Sequence, residues 1–255
     1  MKKYLADLTI IDVQKLNASC VLLTMTDDKP LPECRPGQFA ELRVDETPTF
    51  MLRRPISIHC FDASKNEIGF LVQVVGDGTR WLASLEKGDK VNVLLPLGNG
   101  FTLPEDKNAR LLLVGGGVGS APLYGLAQEL VRRGNDFAIL IGARSEKDLY
   151  RRAEFEALGR VEYTTEDGSL GEKGYVTNHS LLNEKFDYIY TCGPKPMMMA
   201  VAKYAREKEI PCEASLENKM ACGLGACLCC VEDTTEGHRC VCTDGPVFSI
   251  EELKW

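Results

Sequence analysis

The stretch Leu111-Leu-Leu-Val-Gly115-Gly-Gly-Val-Gly119 decides the fold of the middle part of the chain. Its four apolar residues predict a buried strand, and its glycine turn leads into a predicted helix from Ala121 to Arg133, which Gly134 ends. Further strands are expected at Phe137 to Ile141, Val161 to Thr164 and Tyr188 to Thr191, and further helices near Leu149 to Leu158 and at Pro196 to Lys208. Strands that alternate with helices predict a parallel sheet covered on both faces.

The glycine turn is also a candidate nucleotide site, formed by Gly115, Gly116, Gly117 and Gly119. Free N–H groups and the helix dipole at a helix N-terminus favour a pyrophosphate. The fingerprint G-x-G-x-x-G is not met because its third glycine would fall at Ser120, which disfavours an ordinary Rossmann dehydrogenase. A glycine turn of purely structural use is the alternative.

The sequence Thr191-Cys192-Gly193-Pro194 follows the last predicted strand of this part. Open α/β sheets bind ligands at the carboxyl ends of their strands. A thiol there could face a nicotinamide ring, so Cys192 is the candidate catalytic residue. Small core packing is the alternative for this cysteine.

Residues 1–103 contain short apolar runs between turn residues and no long helical periodicity. Six strands are predicted at Leu5 to Val13, Cys20 to Met25, Gln38 to Val44, Ile56 to Cys60, Ile68 to Val75 and Val91 to Leu95, with a short helix at Thr79 to Leu85. This spacing is typical of an antiparallel barrel or sandwich. A polar segment, residues 104–108, marks the boundary with an α/β domain spanning residues 104–212.

The motif Arg54-Pro55-Ile56-Ser57 lies in this first part, and Gly78-Thr79 follows one hairpin later. An Arg can neutralise a pyrophosphate, and a Ser hydroxyl can bond to a flavin ring nitrogen. A Gly-Thr turn can offer N–H and O–H donors to phosphate. A solvated Arg53-Arg54 pair on an edge strand is the alternative.

Residues 213–255 contain Cys222-Gly-Leu-Gly-Ala-Cys227-Leu-Cys-Cys230, followed by Cys240 and Cys242. Cys-x4-Cys-x2-Cys with a distant fourth Cys is the plant-type 2Fe-2S spacing, and glycines let the backbone turn its N–H groups toward the sulfurs. Spacing alone leaves Cys240 and Cys242 open as the fourth ligand. Zinc knots favour paired Cys-x2-Cys motifs, and a Rieske centre needs two His. The segment is too short to be stabilised by burial, so a metal centre is expected.

Composition excludes several classes of protein. The 255 residues include 30 Lys+Arg and 37 Asp+Glu, and this net charge of −7 repels phosphate backbones, so no nucleic-acid partner is expected. Five glycines and Pro122 argue against a membrane span in the long uncharged stretch Leu111 to Gln128. Asp7 breaks any apolar signal region, so the eleven cysteines are placed in a reducing, cytoplasmic compartment.

Together these motifs resemble the ferredoxin-reductase family, in which a flavin barrel with Arg-Pro-x-Ser precedes a nucleotide domain with Gly-Gly-Gly-x-Gly and Cys-Gly-Pro. The C-terminal sequences Met220-Ala-Cys222 and Val241-Cys242-Thr-Asp-Gly-Pro-Val-Phe248 more closely resemble the electron-transfer subunits of NAD-linked, type B dihydroorotate dehydrogenases. The resemblance covers nearly the whole chain. It implies that a 2Fe-2S cluster is bound by Cys222, Cys227, Cys230 and Cys242. It implies that FAD is held by Arg54, Pro55, Ile56, Ser57, Leu71, Val72, Gln73, Gly78 and Thr79.

Electron counting supports the same expectation. A nicotinamide exchanges two electrons as a hydride and a 2Fe-2S cluster takes one, so a flavin is needed to connect them. No segment remains to build a pocket for an organic substrate, so a partner subunit must carry it. By resemblance the partner is an FMN-containing dihydroorotate dehydrogenase, which oxidises dihydroorotate to orotate in pyrimidine synthesis with NAD+ as final acceptor, in a heterotetramer of two catalytic and two electron-transfer subunits.

Two other functions share part of the pattern. The flavin and iron-sulfur subunit of a ferredoxin:NAD(P) oxidoreductase or of a sulfide dehydrogenase would share every motif. A non-enzymatic, zinc-holding interaction protein would share the cysteines but not the flavin.

Overall fold

The computed structural model of the protein describes residues 2–44 and 51–255. The chain divides into two compact units. The first comprises Met1–Gly100, Asn218–Glu232 and Arg239–Pro246, and the second comprises Phe101–Glu217, Asp233–His238 and Val247–Trp255. The cysteine-rich segment is therefore shared between the two units along the chain.

A closed antiparallel barrel forms the body of the first unit. Its strands are β1 (Tyr4–Asn17), β2 (Cys20–Thr26), β3 (Phe39–Leu42), β4 (Arg54–Asp62), β5 (Glu67–Gln73) and β6 (Lys90–Leu97). They follow the order β1-β2-β5-β4-β3-β6, and pairing of β1 with β6 closes the barrel. The barrel fills its interior with alternate apolar side chains, among them Leu23, Met25 and Phe70. The prediction of an antiparallel barrel is confirmed.

The second unit is built on one large sheet. The remaining strands are β7 (Arg110–Gly116), β8 (Asp136–Ala143), β9 (Arg160–Thr165), β10 (Glu172–Lys173), β11 (Tyr188–Cys192), β12 (Cys212–Ser215), β13 (Val231–Thr234), β14 (Gly237–Cys240) and β15 (Val247–Ser249). The sheet has the order β10-β9-β8-β7-β11-β12-β15, while β13 and β14 pair as a separate hairpin. All neighbours in the sheet are parallel except β15, which runs antiparallel to β12. The predicted parallel sheet is confirmed.

The helices are α1 (Asp77–Leu82), α2 (Ala121–Arg133), α3 (Arg152–Glu156) and α4 (Lys195–Glu207). The bounds of α2 are as predicted, and Gly134 ends it in the left-handed conformation with φ 75°. The helix expected from Leu149 is shorter, because Arg151 has a left-handed backbone with φ 55° and α3 begins only after it. No helix in the described ranges has the length and apolar character needed to cross a membrane.

The strand order reverses beside β7. The chain passes from β7 to β8 on one side of it, and returns as β11 on the other side. The carboxyl ends of β7 and β11 therefore border a crevice of the kind in which open α/β sheets bind ligands.

Candidate functional site

The four cysteines assigned as ligands all belong to the first unit. Cys230 and Cys242 are buried, Cys222 is half-buried and Cys227 is exposed. The thiols of Cys222 and Cys227 interact with each other, and so do those of Cys230 and Cys242. The folded chain thus brings the four thiols together as two pairs, and no group of three ligating side chains in the described part of the chain is arranged to hold a single metal ion.

Backbone N–H groups point at these sulfur atoms. Leu224 N donates to Cys222 Sγ at 3.3 Å, and Gly225 N donates to Cys242 Sγ at 3.2 Å. Cys242 N donates to Cys230 Sγ at 3.4 Å. Such hydrogen bonds stabilise thiolates, the form in which cysteine binds iron. The donor set therefore fits an iron-sulfur cluster, and the buried, N–H-bonded sulfur of Cys242 supports it as the fourth ligand.

Two glycines of the loop are fixed by its geometry. Gly223 and Gly225 have φ of +65° and +79°, in the region that disfavours side chains. A methyl group at Gly223 would lie 2.8 Å from Glu41 Cγ and 3.0 Å from Leu97 Cδ1, both in the barrel. The Cys222 loop thus lies directly against β3 and β6.

The thiols of this cluster differ in acidity. The N–H of Leu224 is the main cause that lowers the pKa of Cys222 to about 6, whereas burial raises the pKa of Cys242 to about 12. Burial also raises the pKa of the neighbouring Glu41 carboxyl to about 7, against the attraction of Arg53. A cation bound here would favour the thiolate form of Cys242.

The residues assigned to FAD lie together at one end of the barrel. Because β4 and β5 are antiparallel and Ile58 pairs with Phe70, the start of β4 and the end of β5 are neighbours. The side chains of Ile56 and Val72 pack in the barrel core. Ser57 is half-buried and pairs with Phe39 on β3. Ser57, rather than Ile56, is therefore placed to meet a ligand outside the barrel.

The structure also brings Arg54 to Gly78. A methyl group at Gly78 would lie 2.7 Å from Arg54 Nη2 and 2.8 Å from Arg54 Cζ, so an alanine here would displace the guanidinium from the Gly78 backbone. Thr79 Oγ1 donates to Gly76 O at 3.0 Å and accepts from Val75 N at 2.9 Å. The hydroxyl proton of Thr79 is thus used inside the turn, which leaves the backbone as the phosphate donor that the motif can offer.

The glycine turn and the Cys-Gly-Pro turn meet at the carboxyl ends of β7 and β11. Gly115 is the register partner of Cys192. A methyl group at Gly119 would lie 2.7 Å from Cys192 O and 2.7 Å from Gly193 N. Gly117 has φ +55° and nothing within 4 Å of its Cβ position. Residue 119 must therefore be glycine because two backbone segments approach each other closely there, and residue 117 favours glycine because its backbone is left-handed.

Cys192 is only 1% exposed at the end of β11. Its Sγ lies 3.8 Å from Glu217 Oε1. Burial holds the pKa of this thiol well above its usual range, so the thiol is neutral at physiological pH. Burial of the carboxyl group likewise raises the pKa of Glu217, although the residue as a whole is exposed.

Sequence reasoning missed Glu217 as part of this site. It follows β12, whose Ser215 is the register partner of Cys192. Since these residues are more than twenty positions apart, only the pairing of β11 with β12 brings them together. No signal in the sequence pointed to Glu217, because the strand β12 that precedes it was not predicted.

The first residues of the second unit contact strands β11 and β12 of its sheet through hydrogen bonds and a ring contact. Thr102 N donates to Glu213 Oε2 at 2.9 Å, and Tyr190 Oη donates to Thr102 O at 2.7 Å. Phe101 packs edge-on against the Tyr190 ring with centroids 5.5 Å apart. Burial raises the pKa of Glu213, the acid in this group.

Known proteins share these features. Residues 217–254 match the iron-sulfur cluster binding domain of dihydroorotate dehydrogenase B, and residues 113–203 match the oxidoreductase NAD-binding domain. The dihydroorotate dehydrogenase B (NAD(+)) electron transfer subunit of Shouchella clausii is 40% identical, over 99% of both chains. That of Listeria monocytogenes is 43% identical over 86% of this chain and 87% of the other.

Solved structures share the fold. An NADH-dependent reduced ferredoxin-NADP oxidoreductase chain has a TM-score of 0.87 and 32% identity, covering 98% of this chain and 90% of that one. The ferredoxin reductase of carbazole 1,9a-dioxygenase has a TM-score of 0.71 at 20% identity, covering 82% and 67%, which shows the fold alone.

The matches confirm the ferredoxin-reductase-like fold class with a C-terminal iron-sulfur segment, and the predicted class of oxidoreductase electron-transfer subunit. The expected cofactors, FAD, a 2Fe-2S cluster and NAD, agree with them. Because curated relatives are 40% identical over 99% of both chains, the chain belongs to the family of dihydroorotate dehydrogenase B (NAD(+)) electron transfer subunits.

Proposed function

We propose that this chain carries electrons between NAD(H) and a separate, FMN-containing dihydroorotate dehydrogenase subunit in the cytoplasm, during pyrimidine synthesis. In the direction of dihydroorotate oxidation, NAD+ is the final acceptor. The observation that carries this proposal is the contact of the Cys222 loop with the barrel strand that pairs with the Arg54–Ser57 motif. One unit then holds both the one-electron and the flavin site.

The sulfur atoms of Cys222, Cys227, Cys230 and Cys242 are the proposed iron ligands. The hydrogen bonds from Leu224, Gly225 and Cys242 N–H groups to three of these sulfurs support the assignment. They offset the negative charge of four thiolates in a partly buried place.

The proposed flavin site combines a charged and a polar group with backbone contacts. Arg54 neutralises the pyrophosphate beside the Gly78 backbone, and the Ser57 hydroxyl bonds to the ring system. The remaining members contribute backbone contacts and the wall of the site: Pro55, Ile56, Leu71, Val72, Gln73 and Thr79. When bound, FAD supplies the exchange between a two-electron hydride and single electrons.

The proposed nucleotide site lies at the switch point of the sheet. Gly115, Gly116, Gly117 and Gly119 let a dinucleotide approach the backbone at the N-terminus of α2. Cys192 remains the proposed catalytic residue at the carboxyl end of β11, and its neutral thiol carries no charge to the nicotinamide ring. We assign FAD to residues 1–103, NAD to residues 104–212 and the cluster to residues 213–255.

Exposed apolar side chains of the cysteine loop support docking of the partner there. Leu224 is 47% exposed and Leu228 is 64% exposed, on either side of Cys227. Apolar residues that face solvent beside a redox site are typical of an interaction surface. The proposed assembly contains two catalytic and two electron-transfer subunits.

The test is copurification with the candidate FMN subunit, followed by assay with dihydroorotate and NAD+. Cys222→Ser is expected to lose cluster iron and NAD+ reduction by the complex. Cys229→Ser, a change of the adjacent exposed thiol, is the matched control and should retain both. Unchanged electron transfer in Cys222→Ser would refute the route through the cluster.

A ferredoxin-NADP oxidoreductase subunit is the second candidate, favoured by the solved structure at 32% identity. A sulfide dehydrogenase subunit is a related possibility. The copurifying protein separates them, because an FMN subunit active on dihydroorotate is expected only for the first proposal. A colourless protein without iron and FAD would instead support the zinc-holding alternative.

A further inference from the structure

Glu41 is a buried carboxyl side chain that none of the assigned sites uses. It lies on β3 and is 0% exposed. Neither of its carboxylate oxygens accepts a hydrogen bond from any residue that the structure describes. A buried polar group without partners is costly, so such a group calls for a specific explanation.

The position of Glu41 in the barrel suggests an explanation for its burial. Ala40 and Leu42, its neighbours on β3, point into the barrel core, so Glu41 faces the outside of the barrel. On that face it pairs with Pro55, inside the motif assigned to FAD. Its Cγ would be 2.8 Å and its Oε1 3.2 Å from a methyl group at Gly223, in the loop assigned to the cluster. Glu41 thus lies between the two sites.

The charges that face Glu41 have opposite signs. Arg53 and Arg54 attract its carboxylate, and the Cys222 thiolate repels it. Arg53 also donates to the backbone O of Glu41 at 3.3 Å and to Asn92 O at 2.8 Å, which fixes its guanidinium beside β3. Glu41 thus lies close enough to Cys222 for a charge on its side chain to act on the cysteine loop.

We propose that the Glu41 carboxylate lowers the reduction potential of the cluster bound by the four cysteines and thereby favours electron flow from the cluster to FAD. A fixed negative charge in a poorly solvated place disfavours the addition of an electron nearby. Glu41 acts on the cluster through its field and touches no substrate. The inference rests on the proposed function of the Cys222 loop.

The test is a redox titration of the reconstituted full-length chain, monitored by the electron paramagnetic resonance signal of the reduced cluster. It is run at about pH 8.5, where carboxyl groups are ionised. In Glu41→Gln the ratio of reduced to oxidised cluster at fixed potential should rise about tenfold, which is about 59 mV for one electron. Glu41→Asp keeps the charge and should stay near the wild-type value.

Glu67→Gln is the matched control. It makes the same chemical change on the barrel, at the start of β5, where Glu67 pairs with Thr26 and Asp62. That end of β5 is opposite to the end assigned to FAD, so no shift is expected.

Three results would overturn the inference. They are an unchanged midpoint in Glu41→Gln with full iron content, an equal shift in Glu41→Asp, and loss of iron in both variants, which would make Glu41 an assembly residue. Failure of the proposed function looks different, because the wild-type chain would then give no 2Fe-2S signal on reduction.

Discussion

Replacing Gly119 by alanine should damage the second unit more than the same change at Gly117, although the two glycines share one turn. A methyl group at residue 119 would lie 2.7 Å from Cys192 O and from Gly193 N, against 3.4 Å or more in ordinary contact. The backbone must therefore move by more than about 0.7 Å, the difference between these distances, because Gly193 Cα would lie closer still. At residue 117 the methyl group meets no atom within 4 Å.

The two costs have different origins. Forced overpacking destabilises by about 1–3 kcal/mol, and backbone neighbours place Gly119→Ala near the upper end. The left-handed backbone at φ +55° costs Gly117→Ala about 1 kcal/mol. Displacement of the turn should also weaken NADH binding in Gly119→Ala, by about tenfold to a hundredfold.

The measurement is urea unfolding on a Trp81→Phe background. The chain has two tryptophans, and Trp255 then reports the second unit alone. NADH affinity is measured by titration of the same proteins. Equal losses of unfolding free energy in the two variants would show that the contact with Cys192 and Gly193 does not set the requirement at residue 119.

Other predictions test single groups. Because burial keeps the Cys192 thiol neutral, iodoacetamide should label Cys192 only when the protein unfolds, whereas it should label the exposed Cys229 in the folded protein. Mass spectrometry measures both reactions, and rapid labelling of Cys192 in the folded protein would contradict its burial. The raised pKa of Glu213 means that the folded state holds the proton more tightly than the unfolded state, so its contribution to stability falls as pH rises above about 4.5. Glu213→Gln should flatten this fall, as urea unfolding at acidic and neutral pH can measure; an unchanged slope would exclude Glu213 as its source. Gly223→Ala should lower iron per chain, because its methyl group meets Glu41 and its φ is +65°; full iron content would show that the loop can shift.

Periodicity in the sequence was enough to predict the barrel and most of the larger sheet. Alternating residues marked the barrel strands, and the α2 segment carried its own end signal in Gly134. The short strands β10, β12, β13, β14 and β15 were missed. These strands have two to four residues each, which is too short for an alternating pattern of apolar residues to identify them. Their hydrogen-bonded partner strands define them instead.

The residues of the functional sites divide in the same way, into those that local sequence identifies and those that only the folded chain brings together. The cysteine ligands could be proposed because most lie within one loop, where spacing alone carries the chemistry. Glu41 and Glu217 could not, because each reaches its site only through folding: Glu41 through the loop laid on β3, and Glu217 through the register of β11 and β12. The sequence also left open which face of β4 each residue presents, which the pairing with β3 decides.

The strand β15 ties the cysteine-rich tail to the nucleotide half of the molecule. It pairs with the outer edge of β12, and it follows the last cysteine of the chain by five residues. A gene fragment that stopped before the cysteines would expose an open sheet edge, the kind of surface that recruits other chains into aggregates. The cysteine-rich segment and β15 therefore cannot be removed without cost to the rest of the protein. We expect a truncated chain to be insoluble before any loss of electron transfer can be measured.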